Sequence, residues 1–162
     1  MTLNEAIHAR RSIRKYKKAE VTQAQIDALL EAAMLAPSAN NSRPWEFVVV
    51  QSREQLDKIV QIHPYAGMLR EASLAIVVCA RVESDFFPQD CGAAVENILL
   101  QAVELGLGTC WCGVYPVEKL VKGLREALNI KSVPFCVIAA GVPDESPKAR
   151  GFYDKERVTY IA

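Results

Sequence analysis

The stretch "DCGAAVENILLQAVELGLGTCWCG", Asp90 to Gly113, decides the fold. Asp90 opens a helix running to about Leu105, with Ala94, Ile98 and Ala102 along one stripe. Cys91, Val95, Leu99 and Val103 fill much of the remaining surface, so this helix is apolar nearly all round and belongs in the middle of the protein. In one domain of 162 residues such a helix invites a second subunit to cover it. Gly106 suits the helix C-cap, and the glycines of "GLGTCWCG" also let backbone approach a planar ligand closely. "GTCWCGVY", from Gly108, reads as a strand.

Outward from this stretch, helices and strands alternate. Toward the C-terminus, residues 117 to 128 predict a helix with Leu120, Leu124 and Leu128 inward, and "PFCVIAAGV" from Pro134 the last core strand. The tail from Pro143 to Ala162 is polar apart from "RVTYI", which alternates like an edge strand. A tail of this length without its own core is expected to wrap onto something. Toward the N-terminus, "LAIVVCARV" at 74 to 82 is a core strand, residues 63 to 72 read as irregular, and Ser52 with Gln55 starts a helix to about Ile62. "WEFVVVQ", 45 to 51, is short and β-branched, hence a buried strand. Thr22 with Gln25 fits a capping box before a helix over 22 to 36 that carries Ile26, Leu29, Leu30, Ala33 and Met34 on one face; Thr2 with Glu5 fits another.

Nineteen Lys and Arg balance nineteen Asp and Glu, so no global field points to nucleic acid or an anionic membrane, and any anion site is local. No apolar run approaches the roughly twenty residues that span a bilayer, and the start lacks the apolar core of a secretory signal. A soluble cytoplasmic protein, one domain over residues 1–162, is expected. The five cysteines, three of them inside strand-like runs, read as reduced thiols. Cys110-Trp-Cys112 is a poor match to CxxC spacing, so no metal site is expected.

Local charge does gather at "NEAIHARRSIRKY", Asn4 to Tyr16, in Arg10, Arg11, Arg14 and Lys15. Arginines of this kind are most often solvated surface. Here Arg10, Ser12 and Arg14 alternate, so in extended backbone they project to one side and form a phosphate seat. A second basic pair, Lys148 and Arg150, lies in the tail. "APSANNSRPWEF", Ala36 to Phe47, is either an ordinary turn anchored by Trp45 or a loop offering amide and hydroxyl groups to a ligand.

Together, "RRSIRKY", "APSANNSRPWEFVVV", "LGLGTCWCG" and "KAR", in this order, resemble the nitroreductase family of flavin mononucleotide (FMN) enzymes over nearly the whole chain. The resemblance implies an α+β fold, a central mixed and mainly antiparallel sheet flanked by helices, in a homodimer whose FMN sites lie at the subunit interface and whose C-terminal tail wraps onto the partner. It implies that Arg10 and Ser12, with Arg11 beside them, seat the phosphate, and that Arg14 lies near the pyrimidine edge of the ring. Pro37, Ser38, Ala39 and Asn41 are implied to line the ring and ribityl chain from the other subunit. Arg43 stands where the family usually has Gln. Backbone amides of Trp111, Cys112 and Gly113 are implied near flavin N5, and Lys148 and Arg150 at the phosphate. The Asn and Lys that touch FMN in larger relatives have no clear counterpart around Tyr65 to Arg70.

The implied activity is reduction of nitroaromatics, quinones or similar acceptors by NADH or NADPH, a transient visitor, in ping-pong fashion through flavin N5. No protein side chain is then required as acid, base or nucleophile, because the cofactor carries the chemistry. A cation at Arg14 favours the reduced, more negative flavin. Two other readings stand beside this one: a flavin-binding redox sensor with little turnover, in which Cys110 or Cys112 reports the ring's state, and a flavin enzyme that oxidises or dehalogenates one metabolite. A dimeric scaffold without cofactor is the blandest.

Overall fold

A computed structural model describes residues 1–81 and 84–161. Five helices, α1 (Leu3–Ala9), α2 (Gln23–Met34), α3 (Arg53–Ile62), α4 (Phe87–Glu104) and α5 (Glu118–Leu128), surround four strands. The strands are β1 (Trp45–Val50), β2 (Leu74–Ala80), β3 (Gly108–Gly113) and β4 (Val133–Gly141), in the sheet order β1-β2-β4-β3. All three ladders are antiparallel. The four-stranded sheet is therefore antiparallel rather than mixed; among the described residues, one isolated parallel bridge, Ser12 to Thr109, docks the segment after α1 on the outer edge of β3. This is the α+β fold with a mainly antiparallel sheet that the sequence leads one to expect.

Strand alternation sorts the core into two layers. Leu74, Ile76, Val78 and Ala80 of β2 pack with Ile26 and Leu29 of α2 and with Cys91, Ala94, Val95 and Ile98 of α4. Ala75, Val77 and Cys79 face the other way, onto Leu56 and Ile59 of α3 and Leu120 and Leu124 of α5, with Ile13 and Tyr16 from the N-terminal segment. Because both faces of β2 are covered, its sequence is continuously apolar rather than alternating. Val82, expected as the end of this strand, lies outside the described residues.

Both capping boxes form: the Thr2 hydroxyl accepts from the Glu5 amide while the Glu5 carboxylate accepts from the Thr2 amide, and Thr22 and Gln25 repeat the exchange. Ser52 precedes α3 without a side-chain cap, unlike its sequence reading. The long helix starts at Phe87, three residues before the expected Asp90, because Pro88 fits a first helical turn, where no amide hydrogen is needed. One protomer covers much of this helix by itself, with the sheet below and α2 alongside, where the Asn97 side-chain amide donates to the Ala32 carbonyl at 2.9 Å.

The tail begins as an extension of the fold. Tyr16 bridges Pro143, the Lys17 amide donates to the Val142 carbonyl and the Asp144 amide to the Lys15 carbonyl. Beyond it the expected edge strand over Arg157–Ile161 is not formed. Lys155–Arg157 make a 3-10 turn capped by Asp154, and Tyr160 and Ile161 are 86% and 94% exposed. Alternation alone does not make a strand where no neighbouring strand supplies the hydrogen bonds.

Candidate functional site

The basic segment is extended, and its alternation is used. Ile13 points into the core, with its amide donating to the Thr109 carbonyl at 2.8 Å. The buried Tyr16 hydroxyl donates to the Ile13 carbonyl at 2.7 Å. With Ile13 pinned inward, Ser12 and Arg14 project outward. Half-buried Arg10 sits 3.6 Å from the Glu96 carboxylate on α4. Arg11 turns to the Ile13 side, where its guanidinium donates to the carbonyls of His8 and Arg10 and so closes the end of α1. It lines a separate 390 Å³ cavity with Ile13 and Glu145.

Arg14 opens onto a cleft of about 580 Å³ bounded by β3 from Cys110 to Gly113 and by the turn His63, Pro64, Tyr65, Gly67 and Met68. On β3 the even-numbered residues bond to β4, as the Val114 amide does to the Phe135 carbonyl, while the Thr109 carbonyl faces outward to Ile13. By the same alternation, the amides of Trp111 and Gly113 face the outer edge, on the side of the cleft. Trp111 is 39% exposed, and Gly113 carries no side chain to crowd these donors.

Buried beneath this edge are Cys110 and Cys112. The Cys112 thiol donates to the Tyr65 carbonyl at 3.5 Å and lies 3.9 Å from the Met68 sulfur. The neighbouring Cys112 draws the Cys110 thiol below its usual range, with the Arg14 charge assisting against burial; the proximity of Cys110 and burial together raise Cys112.

The Pro37–Asn41 loop lines none of this cleft in the same protomer. The Ala39 amide donates to Asp90 at 2.9 Å in the first turn of α4, and the Arg43 amide donates to the Ser38 hydroxyl at 2.9 Å. Asn40, Asn41 and Arg43 all take left-handed backbone, at φ of 55°, 53° and 46°. This conformation suits Asn far better than Arg. The Arg43 carbonyl accepts from Arg81, while Pro37 and Asn41 are exposed.

Glu145 accepts from the amides of Arg14 and Lys15, so the tail runs antiparallel to this segment, back toward Ser12. Lys148 and Arg150 follow it, both exposed. A larger open groove of about 1180 Å³ along α5 contains none of the residues singled out in the sequence.

The structure therefore gathers Arg14, Trp111, Cys112 and Gly113 about one cleft, with Ser12 on the same side of the segment as Arg14. The Pro37–Asn41 loop lies outside. His63, Tyr65 and Met68 are cleft residues that the sequence reading passed over as irregular chain. The unmatched middle segment of the family pattern was the one signal for them. Asp90, a helix start by its sequence, is buried with its second oxygen unpartnered.

Among known proteins, the model of the nitroreductase family matches residues 7–63 and 60–142. A protein of Methanothermobacter thermautotrophicus carrying the provisional name NADH dehydrogenase/NAD(P)H nitroreductase is 47% identical, over 98% of this chain and 86% of its own length. A crystal structure from Bacteroides thetaiotaomicron under the same provisional name superimposes with a TM-score of 0.94 at 38% identity, covering 98% of this chain and 96% of that one. An FMN-dependent nitroreductase from Clostridium difficile superimposes with a TM-score of 0.90 at 37% identity, over 97% and 98% of the two chains.

Proposed function

The chain belongs to the nitroreductase family, and on that premise we propose that it is an FMN-dependent oxidoreductase that takes hydride from NADH or NADPH and delivers it to nitroaromatics, quinones or similar acceptors. One observation carries the reading. A cationic, hydroxyl-bearing segment is docked beside an edge strand whose amides face the same side as a 580 Å³ cleft. The donor set fits FMN at both ends. Arg10 and Ser12, with Lys148 and Arg150 from the returning tail, would hold a phosphate of nearly two negative charges. Arg14 and the Trp111–Gly113 edge would hold the polar rim of the ring, and the Trp111 side chain would bound the cleft.

Bound FMN would supply hydride transfer at its N5. The residues of the chain bind and orient. Arg14 places a fixed positive charge where the ring gains negative charge, and the edge amides offer donors there without reorganisation. Of the other side chains singled out, Arg11 secures the end of α1 rather than the cleft, and its share in binding is to hold Arg10 and Ser12 in place.

The active form is a homodimer, each protomer a single FMN-binding domain over residues 1–162. Two observations support it. The Pro37–Asn41 loop is held outside its own cleft, so Pro37, Ser38, Ala39 and Asn41 reach a flavin only as the contribution of a second copy. Exposed Leu3 and Leu35 flank a shallow groove over Leu100 of α4, an apolar face suited to that copy. The tail, with Phe152, Tyr153, Tyr160 and Ile161 exposed, would wrap the partner. No helix among the described residues is long and apolar enough to cross a membrane, and the five free cysteines suit the reducing cytoplasm.

The test is initial-rate kinetics with NADH or NADPH varied against a nitroaromatic and a quinone in the presence of FMN. Acceptor-dependent nucleotide oxidation with parallel double-reciprocal lines is expected. Intersecting lines would remove the ping-pong order, and no acceptor-dependent rate would remove the enzyme reading. The sensor reading draws on one observation, that Cys110 and Cys112 line the cleft. Serine at both positions with unchanged turnover would leave it unsupported.

A further inference from the structure

The turn Pro64–Met68 forms one wall of the cleft and β3 another, and no strand ladder joins them. His63 does. Its ring is 2% exposed, and both nitrogens are engaged. Nε2 lies 2.7 Å from the Gly113 carbonyl, which can only accept, and Nδ1 accepts from the Tyr65 amide at 3.2 Å. Of the two tautomers, those partners select the one with its hydrogen on Nε2, since the other would set hydrogen against hydrogen at Tyr65 and lone pair against lone pair at Gly113. Cys112 adds a second strut, its thiol donating to the Tyr65 carbonyl at 3.5 Å. The amide and carbonyl of Tyr65 are thus held from two points on the same edge.

We infer that His63 is a positioning residue for the cofactor cleft: it fastens the Tyr65–Met68 wall to the Trp111–Gly113 edge and holds the Gly113 carbonyl, so that the edge peptide is fixed where the ring would lie. The locked peptide explains the second half. The Gly113 carbonyl is taken by His63 and the Val114 amide of the same peptide by the Phe135 carbonyl at 3.0 Å, so that plane cannot rotate. With its carbonyl occupied in this way, Gly113 keeps its amide at the outer edge beside that of Trp111. His63 itself, buried behind the turn with both nitrogens occupied, has no free group for the reacting atoms. This role rests on the flavin reading above.

The test compares His63→Gln, which keeps one donor and one acceptor, with His63→Phe, which keeps volume and has neither. Two readouts are taken on each folded variant: the FMN dissociation constant from flavin fluorescence, and the rate at which Ellman's reagent reaches Cys112 in the flavin-free protein, followed in a background with the other four cysteines replaced by Ser or Ala. His63→Phe is expected to raise the FMN dissociation constant by about tenfold or more, because two buried polar groups lose their partners. It should also unmask Cys112 at a rate about tenfold above wild type, and His63→Gln should recover most of both. A His63→Phe protein that binds FMN as wild type does, or a Gln variant no better than Phe, would overturn the inference. Should His63→Phe fail to fold, Gln and Asn, the latter too short to span both partners, supply the same contrast. Wild-type protein that holds no FMN would sink the flavin reading and, with it, the cofactor role of His63. Cys112 protection would then separate that failure from a clamp that does not exist.

Discussion

Gly108→Ala tests how the proposed phosphate seat is built. A Cβ at Gly108 would sit 2.8–2.9 Å from three side-chain atoms of Ile13, far inside van der Waals contact. In an ordinary strand the same substitution stabilises by about 0.5–1 kcal/mol, because glycine loses more backbone freedom on folding. Here overpacking opposes it at roughly 1–3 kcal/mol. Ile13 has no room to yield: its side chain is buried, its amide is bonded to Thr109, and Ser12 beside it bridges the same strand. A net loss of about 1–2 kcal/mol is expected, read as a lower urea midpoint at unchanged slope. The displaced segment carries Ser12 and Arg14, so FMN affinity should fall together with stability.

Ile13→Ala alone should cost about 2–5 kcal/mol through its cavity. Combined with Gly108→Ala, the added methyl enters that space, and the double variant should be more stable than the sum of the singles by about 1 kcal/mol or more. A Gly108→Ala protein as stable as wild type, or strict additivity in the cycle, would refute the wedge between Ile13 and β3.

Arg10→Ala should weaken FMN by about 10- to 100-fold, the loss of a charge-assisted hydrogen bond, while riboflavin, which lacks the phosphate, binds nearly unchanged; equal losses for both ligands in parallel titrations would place Arg10 elsewhere. Asp90→Ala strands the Ala39 amide and should cost about 1 kcal/mol, whereas Asp90→Asn keeps an acceptor and removes a buried charge whose second oxygen has no partner, so its melting temperature should match or exceed wild type. Tyr16 is held far above its ordinary range, chiefly by burial. The folded state therefore keeps a proton that the unfolded state loses above about pH 10, so this contribution to stability is complete below that value and declines as pH rises past it. Tyr16→Phe should flatten that alkaline decline in urea midpoints measured from pH 8 to 11, and an unchanged slope would contradict the assignment.

Much of the frame was legible because its signals are local. The reciprocal caps at Thr2 and Glu5 and at Thr22 and Gln25 lie three residues apart, and the continuous apolar run of β2 declares a strand covered on both faces. The alternation of Arg10, Ser12 and Arg14 was readable for the same reason, once Ile13 is seen to be the inward residue. What escaped was decided at a distance. His63 meets Gly113 across fifty positions, and Cys112 meets Tyr65 across 47, so nothing near residue 63 marks it as part of a cleft. Arg11 shared the charge of its neighbours but falls on the opposite side of an extended chain, where helix carbonyls claim it. The alternation of "RVTYI" promised a strand, yet a strand is a relation between two segments, and within one protomer the second is missing.

FMN held by Arg10, Ser12, Arg14 and the Trp111–Gly113 edge is the proposal on which the rest depends. It is tested most directly by the absorption spectrum of the purified protein, as isolated and again after incubation with FMN and desalting, followed by anaerobic NADH and NADPH. A flavin band that is retained and then bleaches with either nucleotide is the expected result. A colourless protein after desalting would leave the basic segment and its cleft without their ligand and contradict the claim at its base.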